Sequence, residues 1–312
     1  MINRDLIRTK VVQLTYAYYV NGSGDQTNAE KELLFSLSKA YELYLLLLQF
    51  IVALRNEAEN QWSLNDNRLN REGGINQTRR NFIDNKFALQ LKDCEQLQEL
   101  TERNKGIWEE NVGTIRKVLQ LIEQSECYEN YMKIPAPTYE DDREFWKQVY
   151  KTIIIPNDDI NEVLEESSLY WNDDRFVVDT FIIKTIRRFE ESNGAKQQLL
   201  EEYRSTEDRS FAINLFRNTI DNCEEYRGYM AEVSKNWDVE RFSMMDIVLL
   251  QMAIAELLNF PDIAVHVTIN EYIELAKIYS TPKSSGYVNG MLDAIARMLN
   301  EKGLMLKPVK KQ

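Results

Sequence analysis

One histidine, His266, and three cysteines, Cys94, Cys127 and Cys223, are all the imidazole and thiol groups that 312 residues supply. The cysteines lie far apart and share no ligand spacing, so a zinc site is not expected. No metal or other cofactor is expected at all. His266 has no acidic or cysteine partner at catalytic spacing and reads as a surface or packing residue. The acidic pairs Asp141-Asp142, Asp158-Asp159 and Asp173-Asp174 read as turn and helix-start acids. An odd cysteine count and a charged opening, Met-Ile-Asn-Arg-Asp, predict a reducing, cytoplasmic setting. Glycine (11) and proline (6) are also scarce. With Leu, Glu, Lys and Gln plentiful, few breakers interrupt residues that lose little rotamer freedom in a helix, and the chain is expected to be all-α. Long apolar runs are missing too. The most apolar stretch, LYLLLLQFIVAL over 43–54, is flanked by Lys39, Glu42, Arg55 and Glu57. A membrane span needs about twenty apolar residues, so this reads as a buried core helix.

What is present is charge, unevenly spread. The net charge is −12. Residues 1–24 hold Arg4, Arg8 and Lys10 against Asp5, a balance of +2. Residues 262–312 hold seven Lys/Arg against five Asp/Glu, again +2, which leaves −16 in the middle. Mildly basic ends on an acidic chain suit a small local anion site on a protein that otherwise repels polyanions.

Helical periodicity runs almost from end to end. It predicts helices over Arg4–Val20, Asn28–Ala58, Phe82–Arg103 and Trp108–Met132. Others follow near 141–154, 159–169, 172–190, 208–222 and 224–233. The Asn/Arg/Gly-rich 60–80 region reads as a loop or a partly disordered segment, and IPAPTYEDD (134–142) as a linker. Ile247–Leu258 is apolar nearly all round, which marks a central core helix. Ser243 and Asp246 before it have capping-box spacing, and so do Thr268 and Glu271 before the next helix. There Glu274 and Lys277 pair at i,i+3 on a polar face, and Pro282 ends the helix. A second helix begins near Tyr287. These residues alone leave open whether the polar positions around 270–289 pack helices or bind a ligand.

The order of four motifs resembles the NusB family of bacterial transcription antitermination factors. They are WDVER (237–241), LQMAIAEL (250–257), VTINEYIELAK (267–277) and SSGYVNGMLD (284–293). IRTKVVQLTY (7–16) is similar to the family's first helix and FAINLFRNTID (211–221) to its third. The resemblance covers about 1–22 and 208–306. It implies N-terminal helices over 1–58, a helical insertion over 59–205 and a C-terminal bundle over 206–312.

The resemblance also implies a non-enzymatic protein that binds boxA-like RNA. Its partner would be NusE, a small-subunit ribosomal protein, inside an RNA polymerase antitermination complex, with no membrane involved. Carried over by position, the RNA-binding residues would be Arg4, Arg8, Lys10, Tyr16, Lys283, Ser284, Tyr287 and Asn289. Arg4 and Arg8 would contact phosphate, and Tyr287 would either stack on a base or pack in the core. Asp5 and Leu6 interrupt the family's basic run, which predicts modest affinity for RNA alone. Arg79-Arg80 and Arg187-Arg188 of the insertion are candidate sources of added charge. An alternative is a scaffold of the transcription complex in which RNA binding has degenerated. An RNA methyltransferase is disfavoured because no Gly-rich cofactor loop follows a strand.

Overall fold

The computed structural model describes residues 1–22, 24–72, 79–101, 106–203, 205–234 and 242–305. The Asn3 side chain accepts a hydrogen bond from the Leu6 amide at 3.0 Å and opens helix α1, Arg4–Val20, over the expected range. Helix α2 then runs from Gln26 to Arg71, well past the expected end at Ala58. Residues 59–71 hold neither Gly nor Pro. Their polar side chains pair along the helix instead of drawing the backbone into turns: Gln61 bonds Glu57, Arg68 bonds Asn65 and Asn70 bonds Asp66, each at 3.0 Å. The expected loop over 60–80 is therefore helical for its first half, and residues 73–78 of it lie outside the described residues.

Two compact units divide the chain: Met1 with Ser38–Glu202, and Ile2–Leu37 with Tyr203–Gln312. The first division falls inside α2, before its apolar stretch, whereas the sequence placed it after residue 58. The reason is where that stretch is buried. Leu43, Tyr44, Leu47, Leu48, Phe50 and Ile51 are all inaccessible. The Trp108 indole sits 4.3 Å from the Phe50 ring and donates to the Leu46 carbonyl, while the Tyr44 hydroxyl meets Thr185 Oγ1 at 2.6 Å. Among the described residues α2 alone is long and apolar enough to cross a membrane, and its most apolar window is mostly buried inside the protein.

The first unit continues with α3 (Lys86–Asp93), α4 (Glu95–Thr101), α5 (Ile107–Glu110), α6 (Val112–Glu123) and α7 (Glu126–Met132). Two single helices were expected there. Cys94, in extended conformation, separates α3 from α4, and Ser125 caps α7 anew. Helix α8 (Tyr139–Val149) starts on a Thr138–Asp141 capping box and passes into a π-helix over Tyr150–Ile154, which absorbs part of the β-branched run. Helices α9 (Asp158–Ser167) and α10 (Arg175–Arg188) complete the unit. Asp141, Asp142, Asp158 and Asp159 sit in first turns and Asp174 at a helix N-cap, in line with the reading of these acids.

The second unit joins α1 to α11 (Thr206–Asp221), α12 (Cys223–Val233), α13 (Met244–Asn259), α14 (Val265–Tyr279) and α15 (Ser284–Glu301). Helix α13 is its axis and packs against α1, α11, α12, α14 and α15. The expected Ser243–Asp246 capping box starts it. Apart from the isolated parallel bridge Ile2–Tyr203, no strand occurs among the described residues, and the fold is all-α.

Candidate nucleic-acid interface

Helix α13 buries three polar side chains, Asp246, Gln251 and Glu256, and the last two draw on α1. Gln251 donates to the Cys223 carbonyl and accepts from the Tyr19 hydroxyl, each at 3.0 Å. Glu256 accepts a fork from Arg8, whose Nε and Nη2 donate at 2.8 and 3.0 Å. It also accepts from Thr268 Oγ1 at 2.8 Å and from the Tyr272 hydroxyl at 3.3 Å. The Arg8 guanidinium lies 5.6 Å above the Phe211 ring. Burial opposes its charge, but the Glu256 hydrogen bonds and negative charge outweigh this and raise its pKa. A paired, hydrogen-bonded ion inside a core is the form in which a buried charge is tolerated.

This geometry corrects several expectations on α1 and α14. Arg8 is 2% exposed and committed to Glu256, so it is not a phosphate contact at the surface. Lys10 is also 2% exposed. Thr268 and Glu271 form no capping box: α14 starts earlier, at Val265, with Ala264 at the N-cap. Thr268 turns instead to Glu256, and Glu271 reaches Arg8 Nη1 at 3.4 Å. Burial raises the Glu271 carboxyl, with Arg8 opposing. The Glu274–Lys277 pair forms as expected, at 2.6 Å. Arg4 is exposed on one side, 3.6 Å from Asp208 and 5.1 Å above Phe211.

The start of α15 divides its expected site residues in two. Ser284 is 2% exposed, and its hydroxyl donates to Asp246 Oδ2 at 3.2 Å while accepting from Ser280 Oγ at 2.9 Å. Ser280 Oγ also lies 2.7 Å from Asp246 Oδ1. Ser284 therefore fastens the start of α15 to that of α13 and is not open to a ligand. Lys283, Tyr287 and Asn289 stay on the surface. The Tyr287 ring, 44% exposed, meets Phe242 edge-on at 6.5 Å. Helix α15 begins at Ser284, three residues before the expected start, and no side chain caps it. A Cβ added at Gly286 would meet nothing within 4 Å. The first turn thus offers amide N–H groups and the positive end of a helix dipole beside an accessible cation and aromatic ring.

Tyr16, partly exposed, belongs to this end of the unit. Gln13, one turn before it, donates to the Tyr279 hydroxyl at 3.0 Å, at the end of α14 next to Ser280. Arg4 lies twelve residues back along α1, about 18 Å at 1.5 Å per residue. The eight expected residues are therefore not one cluster. Tyr16, Lys283, Tyr287 and Asn289 are accessible near one end, Arg4 is accessible at the other, and Arg8, Lys10 and Ser284 are interior. Sequence reasoning missed Glu256 as the organiser of α1. A lone acid in an otherwise apolar helix was the signal that a buried cation must meet it. The WDVER motif lies outside the described residues. Among the described residues no group of three or more His, Cys, Asp or Glu could hold a metal.

A family model described as "NusB family" matches residues 179–297. The transcription antitermination protein NusB of Salinibacter ruber is 37% identical over 134 residues, covering 40% of this chain and 82% of that protein. Its namesake in Geotalea daltonii is 36% identical over 136 residues, covering 43% of this chain and 90% of that protein. The Natranaerobius thermophilus protein of the same name is 46% identical over 83 residues, and there the match spans 27% of this chain and 60% of the relative. A solved structure of T. maritima NusB is 31% identical, covers 38% of this chain and 82% of that one, and superposes with a TM-score of 0.29. The sequence relatives, not that superposition, carry the likeness.

Proposed function

Because the chain belongs to the NusB family of transcription antitermination proteins, we propose that it recognises boxA-like RNA together with NusE, a small-subunit ribosomal protein. On this reading it acts in the cytoplasm, without chemistry of its own. It joins an RNA polymerase antitermination complex and promotes transcription of ribosomal RNA operons. The observation that carries the RNA reading is the open first turn of α15, uncapped by any side chain, with Lys283, Tyr287 and Asn289 at the surface around it. Helix starts of this kind accept phosphate, and Asn289 can bond a base edge. Tyr287 presents a face on which an unpaired base can stack, an interaction of about 1–3 kcal/mol. Tyr16 adds a second aromatic near this end, and Arg4 is a peripheral phosphate contact.

The burial of Arg8 and Lys10 favours one second reading. With two of the three cations of α1 unavailable, the unit could serve as a scaffold that recruits proteins while RNA binding has weakened. Titration of a boxA-containing RNA and a scrambled one, with and without NusE, separates the two. The RNA reading expects a sequence preference that strengthens with NusE. It also expects Tyr287→Ala to weaken boxA binding about tenfold, within the range for one lost stacking contact. Equal affinity for both RNAs under every condition would leave the scaffold reading standing.

A further inference from the structure

Helix α10 carries a surface that includes none of the eight residues expected to bind RNA. Along one face run Phe176, Thr180, Lys184, Arg187 and Arg188, all exposed, with Phe176 at 82%. The helix shows no carboxylate to solvent. Its only acid, Asp179, is buried, accepting from Arg175 Nε at 3.0 Å and from the Tyr150 hydroxyl at 2.6 Å. Among the described residues no salt bridge involves Lys184, Arg187 or Arg188, although acids outnumber bases in this chain. Arg143 of α8 brings a fourth cation to the same end, where its Nη1 donates to the Arg187 and Phe189 carbonyls at 2.9 and 2.7 Å. The nearby acids Glu140 and Glu191 are taken by Arg143 and Lys86, and Glu190 follows the helix end.

Cations in a last turn offset the helix dipole, which accounts for part of this pattern. It does not account for an exposed phenyl ring about three turns earlier on the same face. Basic side chains in line with an open aromatic ring match single-stranded RNA, whose phosphates take the cations while a base stacks. Arginine suits this task because its planar fork can bond two phosphate oxygens at once.

We infer that the α10 face holds unpaired RNA flanking the boxA-like element, a second and sequence-independent contact made by the first unit. This rests on the RNA reading above. The test compares a minimal boxA RNA with the same RNA extended by an unpaired, unrelated tail, across a salt series. The proteins are wild type, the triple variant Lys184→Gln/Arg187→Gln/Arg188→Gln, and Phe176→Ala.

Three phosphate contacts at about 0.7 each steepen the log–log salt slope by about 2, so raising salt from about 50 to 200 mM costs the extended RNA ~20-fold more affinity than the minimal one. The triple variant is expected to bring the extended RNA down to the slope of the minimal one while leaving minimal boxA binding unchanged. Phe176→Ala should weaken only the extended RNA, with its slope kept. Equal wild-type slopes for the two RNAs overturn the inference, and a retained preference for boxA over scrambled RNA then leaves the proposed function intact. Tail binding that the triple variant abolishes, without any boxA preference, supports the α10 face and overturns the boxA reading instead. Unchanged RNA slopes with lost binding to RNA polymerase would also overturn the inference and assign the face to an acidic protein.

Discussion

Arg8 and Glu256 are 248 positions apart in sequence and meet where both are almost inaccessible. Their fork is worth less than its Coulomb energy suggests, because two ions were taken out of water to form it. Removing one partner alone is the costly change, since it leaves the other charge buried and unpaired. Arg8→Met is therefore expected to lower unfolding free energy by about 3–5 kcal/mol in urea titrations. Arg8→Met with Glu256→Leu should recover part of that loss. Recovery stays incomplete because Thr268 and Tyr272 would lose the acceptor that Glu256 provides. If Arg8→Met instead kept wild-type stability and lost RNA affinity, the residue would be a ligand contact after all.

At the scale of elements, helix starts matter most. The Thr138–Asp141 box opens α8 with Thr138 N donating to Asp141 Oδ2 at 2.8 Å and Asp141 N donating to Thr138 Oγ1 at 3.2 Å. Thr138, through its side chain and then its backbone, holds the Asp141 carboxyl below its ordinary value of 3.8. A carboxyl depressed by folding contributes stability above its unfolded pKa and loses it as pH falls through the folded one. Thr138→Ala should cost about 1 kcal/mol near neutrality, and thermal melts should show that difference shrinking below pH 3.8. An unchanged difference at low pH would mean that the box does not couple to Asp141 ionisation.

A start of this kind was legible where a cap residue and an apolar period coincide, as at Ser243. Thr268 and Glu271 have the same spacing as Ser243 and Asp246, yet their partners are Glu256 and Arg8, which local sequence cannot show. The end of α2 was hidden by composition, because an Asn-rich stretch without Gly or Pro can stay helical when its side chains bond each other. The break at Cys94 has neither a glycine nor a proline to announce it. The motif over 284–293 singled out Tyr287 and Asn289, and Lys283 just before it, and the fold leaves all three at the surface. The burial of Arg8, Lys10 and Ser284 depends on elements packed from elsewhere in the chain.

For the whole molecule, the question is whether the second unit is a complete domain interrupted by the first. The chain leaves it inside α2 after Leu37 and returns at Tyr203. Its axis, α13, is surrounded by helices of its own unit, and the Arg8–Glu256 fork closes it across both chain segments. The family match, however, begins at residue 179, within α10 of the first unit. We propose that residues 38–202 are an insertion that the second unit does not need in order to fold. Replacing them with a short Gly/Ser linker that spans the gap closes a much smaller loop, which favours folding by roughly 2–3 kcal/mol through chain entropy alone. The shortened chain should be highly helical by circular dichroism and melt in one cooperative step. It should keep its affinity for minimal boxA RNA and lose the extra salt dependence of the extended one. A shortened chain that fails to fold, but is rescued when residues 179–202 are restored, would show that the family domain includes α10 and that the insertion ends before it.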